Sequence, residues 1–121
     1  MDSLAYLFSL LSKPVRLRLL ALLAQDERCV CKLYEPLGIQ QSTASRHLSL
    51  LKAAGIVTAH RVGTWMHYRL SPETWKDEWR AVLPLAIAEA EKHLPLYGDG
   101  EVCSPKERKR HSERNHQRSS Q

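Results

Sequence analysis

Gln40-Gln41-Ser42-Thr43-Ala44-Ser45-Arg46-His47-Leu48-Ser49-Leu50-Leu51-Lys52-Ala53-Ala54-Gly55 is the stretch that decides the fold. Ala44, Leu48 and Leu51 recur at i, i+4 and i+7, the spacing that lines one face of an α-helix. The polar run 40–43 supplies cap-type residues at its start, and Gly55 suits the position just past its end. The opposite face carries Gln41, Ser42, Thr43, Ser45, Arg46 and Ser49, with no carboxylate among them. An α-helix fits the major groove of duplex DNA, where base edges differ in their donors and acceptors. Gln can bond adenine twice, Arg can address guanine or a phosphate, and Ser or Thr can bond either. His47, on the same helix, is open to two roles, a phosphate contact or packing.

Working outward, a shorter helix is expected from about Val30 to Leu37, closed by Gly38, which gives a helix-turn-helix outline. On the other side, Ile56 to Arg61 and Trp65 to Leu70 have strand character. The short connection Val62-Gly63-Thr64 makes them a hairpin. Its Arg61 and Arg69 are candidates to reach phosphates or a minor groove. Two helices open the chain, residues 3–11 and Pro14 to Ala24. Ser71-Pro72 is expected to open the last one, with Ser71 as N-cap, Pro72 at its first position and Glu73, Asp77 and Glu78 near its positive end. Pro84 is expected to kink or split that helix. Apolar residues at 75, 79, 82 and 83, then at 85, 87, 90 and 94, exceed what a small domain buries, so the terminal helices are expected to pair across a dimer. The predicted fold is mainly α with a small β-hairpin: a winged helix-turn-helix of order α-α-α-α-β-β-α, a homodimer through terminal helices.

At 121 residues and 43% hydrophobic the chain suits one compact domain, expected over 1–97. From Gly98 the composition turns polar, and 98–121 is expected to be a disordered tail with six basic and four acidic side chains. The net charge is +5, and its distribution matters more than its size. Between Glu35 and Glu73 there is no acidic residue, while Arg46, Lys52, Arg61, Arg69 and three histidines fall there, the footprint of a polyanion partner. Met1-Asp2-Ser3 carries no basic leader, and no apolar stretch approaches the roughly 20 residues that cross a bilayer, so a cytoplasmic location is expected. Cys29, Cys31 and Cys103 are odd in number and make no disulfide framework. Soft-metal binding or redox chemistry suits them better. No phosphate-binding loop, metalloprotease pair or nucleophile elbow is present, so no enzymatic activity is expected.

Several short strings combine into a resemblance: Cys29-Val30-Cys31-Lys32-Leu33, Gln41-Ser42-Thr43-Ala44-Ser45-Arg46-His47-Leu48, Ala54-Gly55-Ile56-Val57, Gly63-Thr64-Trp65 and Tyr68-Arg69-Leu70. Over about residues 4–80 the chain resembles the ArsR/SmtB family of metalloregulators. The resemblance implies a homodimeric winged-helix repressor, bound to double-stranded operator DNA without a cofactor and released by a toxic metal or metalloid. Its Cys-Val-Cys resembles the arsenite and antimonite branch, which implies trivalent arsenic or antimony as inducer. That branch continues to a third cysteine where Tyr34 stands here. Trivalent arsenic prefers three sulfur ligands, so Cys103 is a candidate to join Cys29 and Cys31. Alternatively the inducer is an organoarsenical with only two exchangeable bonds. A same-fold repressor sensing thiol oxidation or another soft ion such as cadmium is the competing expectation. On a regular helix positions two apart point about 200° away from each other, so chelation by Cys29 and Cys31 is expected to distort the first turn of the third helix. Arg28 and Lys32 beside the thiols favour thiolate.

Overall fold

The computed structural model describes residues 2–94. Helix α1 spans Asp2–Leu11 and α2 Pro14–Gln25. The two-residue strand β1, Arg28–Cys29, leads into α3, Cys31–Leu37, and α4, Gln41–Ala53. Strands β2, Val57–Val62, and β3, Trp65–Leu70, form the hairpin, and α5, Asp77–Glu91, follows. The expected order is present, with β1 added.

Helix α2 is the centre. Leu19, Leu20, Ala21, Leu22 and Leu23 are all buried, as in a helix wrapped by neighbours on most sides. Leu33 from α3, Leu48 and Leu51 from α4, and Trp79 and Leu83 from α5 are fully buried in the same core. Each large apolar side chain so buried stabilises the fold by about 1.5–3 kcal/mol. Pro14 starts α2 at a position where a missing N–H costs nothing.

Gly38 makes the turn between α3 and α4. It adopts the left-handed conformation at φ 67°, and its N–H donates to the Glu35 carbonyl. Gly55 ends α4 at φ 81°, with Ile56 N–H donating to the Leu51 carbonyl at 3.0 Å. The chain therefore leaves α4 directly into the wing.

The sheet is antiparallel in the order β1-β3-β2. Cys29 stands opposite His67, and His67 opposite His60. Directly opposed residues share a face, so Cys29, His67 and His60 form one row across the sheet. The Val30 N–H extends the β1 pairing by donating to the Met66 carbonyl at 3.0 Å.

The last helix departs from expectation at both named prolines. Pro72–Thr74 forms a single 3-10 turn, and α5 begins only at Asp77. The hydroxyl of Thr74 donates to the Gly55 carbonyl at 2.6 Å and accepts from Ser71, while Trp75 Nε1 donates to the Ile56 carbonyl at 2.9 Å. These bonds tie 71–75 to the end of α4 instead of letting a helix start at Pro72. Ser71 is thus a buried anchor to the end of α4 and no N-cap of α5. Pro84 does not split α5, which runs through it to Glu91. Pro84 sits on the exposed side of α5, where a lost backbone hydrogen bond is least costly.

Helices α1 and α5 are joined by Trp79, whose Nε1 donates to the Ser3 carbonyl at 3.2 Å and whose ring lies 6.2 Å from that of Tyr6. Tyr6 and Phe8 on α1 and Leu85 on α5 remain exposed, Leu85 by 73%. Among the described residues no helix is long and apolar enough to cross a membrane. The boundary expected at 97 lies outside the described residues.

Candidate DNA-reading surface and thiol pair

Helix α4 turns Ala44, Leu48 and Leu51 fully inward. Gln41, Ser42, Arg46 and Ser49 are exposed on the other side, and Thr43 and Ser45 are half-buried beside them. The residues expected to read bases thus share one solvent-facing helix surface. His47 is half-buried at the edge of that surface and accepts a hydrogen bond at Nδ1 from Arg16 Nε of α2, at 3.1 Å. Burial, and after it the cations of Arg16, Arg46 and Lys13, hold its pKa below the usual histidine value.

The two wing arginines are not brought together. Arg61 lies on β2 opposite Met66 and is exposed. Arg69 lies on the other face, opposite Thr58, and its guanidinium pairs with Glu73 while Nη1 donates to the Leu70 carbonyl at 2.9 Å. The Arg69 hydrogen bond holds the Glu73 carboxyl below the usual carboxylate range and raises Arg69 in turn. The hairpin tip, Gly63-Thr64 beside Val62, is exposed.

Cys29 ends β1 and Cys31 is the first residue of α3, with Val30 between them as N-cap. The divergence expected of two helical positions does not arise, because Cys29 is in a strand. The chain bends at Val30 and brings the two Sγ atoms within 3.2 Å. Both side chains are buried, Cys29 to 1% and Cys31 to 2% exposure. Tyr34, at the position of the missing third cysteine, is also buried. Arg28 bridges the end of α2 and the first turn of α3, where its Nη1 donates to the Lys32 carbonyl at 3.5 Å. It donates to the Leu22 carbonyl at 3.1 Å and to Gln25 Oε1 at 2.8 Å, closing the end of α2. Among the described residues no group of three or more His, Cys, Asp or Glu side chains is placed to hold a metal ion. Cys103 lies outside the described residues.

Two features escaped the sequence pattern. The first is the Arg16–His47 bond, between residues 31 positions apart. The second is the row from Cys29 through His67 to His60, whose rings stack at 5.8 Å, with Glu27 Oε2 3.3 Å from His60 Nε2 and 3.9 Å from His67 Nδ1. Only strand pairing makes that row.

A polar helix presented on a helical core and flanked by a hairpin wing defines a winged helix-turn-helix DNA-binding protein. Comparison with known proteins takes the assignment further. Residues 13–59 match the family described as "Bacterial regulatory protein, arsR family". The chain is 43% identical over 111 residues to the arsenical resistance operon repressor of Escherichia coli, covering 81% of this chain and 93% of that protein. It is 42% identical over 96 residues to the arsenic resistance transcriptional regulator ArsR1 of Pseudomonas putida, covering 68% and 75%. Among solved structures it is similar to the homodimeric winged helix-turn-helix DNA-binding domain, fragment 1–100, of a possible ArsR-family regulator from Mycobacterium bovis. The TM-score there is 0.60 at 34% identity, over 77% of this chain and 82% of that one. This chain belongs to the arsR family of bacterial regulatory proteins, whose members are DNA-binding transcription regulators.

Proposed function

We propose that the chain is a homodimeric repressor that holds operator DNA through α4 and the wing and releases it when a trivalent arsenical bonds to Cys29 and Cys31. The observation that carries this reading is the thiol pair: two buried sulfurs 3.2 Å apart, at the start of the helix-turn-helix. Gln41, Ser42, Thr43, Ser45 and Arg46 are the base-reading residues, with Arg61 and Arg69 on the wing and His47 at the edge of the helix. The exposed apolar side chains of α1 and α5, Tyr6, Phe8 and Leu85, suit burial against a second copy, which places two recognition helices on successive turns of the duplex. Operator binding sets the protein in the cytoplasm. The relatives named as an arsenical resistance operon repressor and an arsenic resistance transcriptional regulator support the repression and the inducer.

The donor set fits an arsenical with two exchangeable positions. Each thiol gives its proton to a departing hydroxide, two As–S bonds replace two As–O bonds, and two waters leave, with no change in arsenic's oxidation state. A methylated or arylated arsenical is then satisfied by Cys29 and Cys31 alone. Inorganic arsenite or antimonite needs a third ligand, and Cys103 is the thiol left to give it. Because Cys29 is paired to β3, drawing its sulfur toward arsenic pulls on the wing as well as on the start of α3.

The deciding experiment titrates the DNA-bound dimer with arsenite, methylarsenite, cadmium and hydrogen peroxide, in the wild type and in Cys29→Ser, Cys31→Ser and Cys103→Ser. Release by an arsenical that requires Cys29 and Cys31 supports the proposal. Loss of the arsenite response alone in Cys103→Ser assigns the third ligand. Release by cadmium or peroxide but by no arsenical favours the same repressor as a sensor of soft ions or of thiol oxidation.

A further inference from the structure

Lys13, Arg16, Arg46 and His47 gather where the start of α2 meets the middle of α4. Arg16 is fixed from both sides: Nε donates to His47 Nδ1 and Nη1 donates to the Leu10 carbonyl, each at 3.1 Å. Lys13 is the exposed N-cap residue of α2, and its side chain makes no capping bond. Arg46 is exposed on the base-reading face. The fields of all three cations reach His47. Among the described residues no carboxylate answers this charge, and none of Lys13, Arg16 and Arg46 is in an ion pair. The sequence explains why: neither residues 3–25 nor residues 36–72 contain a single Asp or Glu, and the two acid-free stretches meet here.

Unanswered cations held together repel one another, and an anion relieves them. A helix about 10–12 Å across fills a major groove about 12 Å wide, so the phosphates that border the groove run along the flanks of the helix. The start of α2 lies on one flank of α4. We propose that Lys13, Arg16 and His47 form a clamp for a DNA backbone phosphate, with His47 as the positioning residue that holds Arg16 in place. The clamp rests on the DNA-binding reading above and adds Lys13 and Arg16 to it. Since Nδ1 of His47 accepts from Arg16, its proton is on Nε2, which gives the clamp a neutral N–H donor. Arg16 contributes Nη2 and Lys13 its ammonium. A phosphate contact carries no base information, so the clamp serves any duplex equally.

The test is fluorescence anisotropy of the full-length chain at a series of salt concentrations. The probes are a labelled duplex of unrelated sequence and a duplex from upstream of the protein's own reading frame. In Lys13→Gln/Arg16→Gln the slope of log affinity against log salt is expected to shrink by about 0.9 per protomer, with both duplexes weakened by the same factor. Lys13→Gln alone, at an exposed position, carries the test if the double variant melts early. His47→Ala is expected to weaken both duplexes, and His47→Gln, whose amide oxygen accepts from Arg16, to restore them. An unchanged slope in variants that melt like the wild type overturns the clamp, as does weakening confined to the upstream duplex. Failure of the wild type to bind either duplex sinks the DNA-binding reading itself.

Discussion

Cys29 and His67 stand directly opposite one another on neighbouring strands, so the thiol pair and the wing meet in the same row of one sheet. A ligand that moves Cys29 therefore strains β3, the inner strand of the wing. In hydrogen exchange, adding the arsenical that releases DNA is expected to speed exchange of the Val30 amide, which donates to Met66, by about fivefold or more, the low end of typical coupling between sites. Unchanged exchange along β1 and β3 with arsenical bound would show that release bypasses the wing.

On the proposed function, Tyr34 is expected to decide which arsenical fits. Tyr34→Cys places a thiol one helical turn beyond Cys31, and inorganic arsenite is expected to gain at least about tenfold over methylarsenite in the concentration that releases DNA, about 1.4 kcal/mol. Removing a buried ring leaves a cavity, so the same variant is expected to lose about 2–4 kcal/mol in urea unfolding. Equal potency of the two arsenicals in both proteins would free Tyr34 of any part in selectivity.

Gly55 and Gly63 separate two costs of a methyl group. Both have positive φ, but a Cβ at Gly55 would lie 3.3 Å from the Thr74 carbonyl oxygen, whereas nothing lies within 4 Å at Gly63. Gly63→Ala is expected to cost about 1–2 kcal/mol from backbone strain alone. Gly55→Ala is expected to cost more, because the Thr74 carbonyl must also move. Thermal melts of the two variants in parallel check the order.

His47 makes stability depend on pH with a defined sign. Its folded-state pKa is below the ordinary 6.5, so the unfolded chain binds the proton first as pH falls. The contribution of neutral His47 is complete above 6.5 and declines as pH drops through and below it, toward the depressed folded value. Urea unfolding at several pH values is expected to show a steeper acid-side loss in the wild type than in His47→Gln. Parallel curves would mean that His47 titrates alike in both states.

Helix α4 was legible because its core positions repeat at helical spacing and its other face is uniformly polar, and the hairpin because strand-like runs flank Gly63. Strand β1 was not legible: two residues have no periodicity, and Arg28–Cys29 is a strand only because β3 lies beside it. That single omission reversed the geometry expected of the thiols, from divergent on a helix to adjacent at a bend. The start of α5 misled for a related reason. Ser71-Pro72 carries a good helix-opening signal, but Ser71 and Thr74 bond to each other and Thr74 to Gly55, partners remote in sequence. The pairing of Arg69, a candidate DNA contact on the wing, with Glu73 four residues on was likewise not read from the pattern.

The near-complete burial of Cys29 and Cys31 has a kinetic side. A reagent in solution reaches these sulfurs only during moments when the protein opens over them, so at low dose the reaction rate is the opening equilibrium multiplied by the chemical rate. At high dose it levels off at the opening rate itself. On the proposed function, the lag between a poison's arrival and the first transcript would shorten with dose only down to the time the protein takes to open, and beyond that more poison would not shorten it.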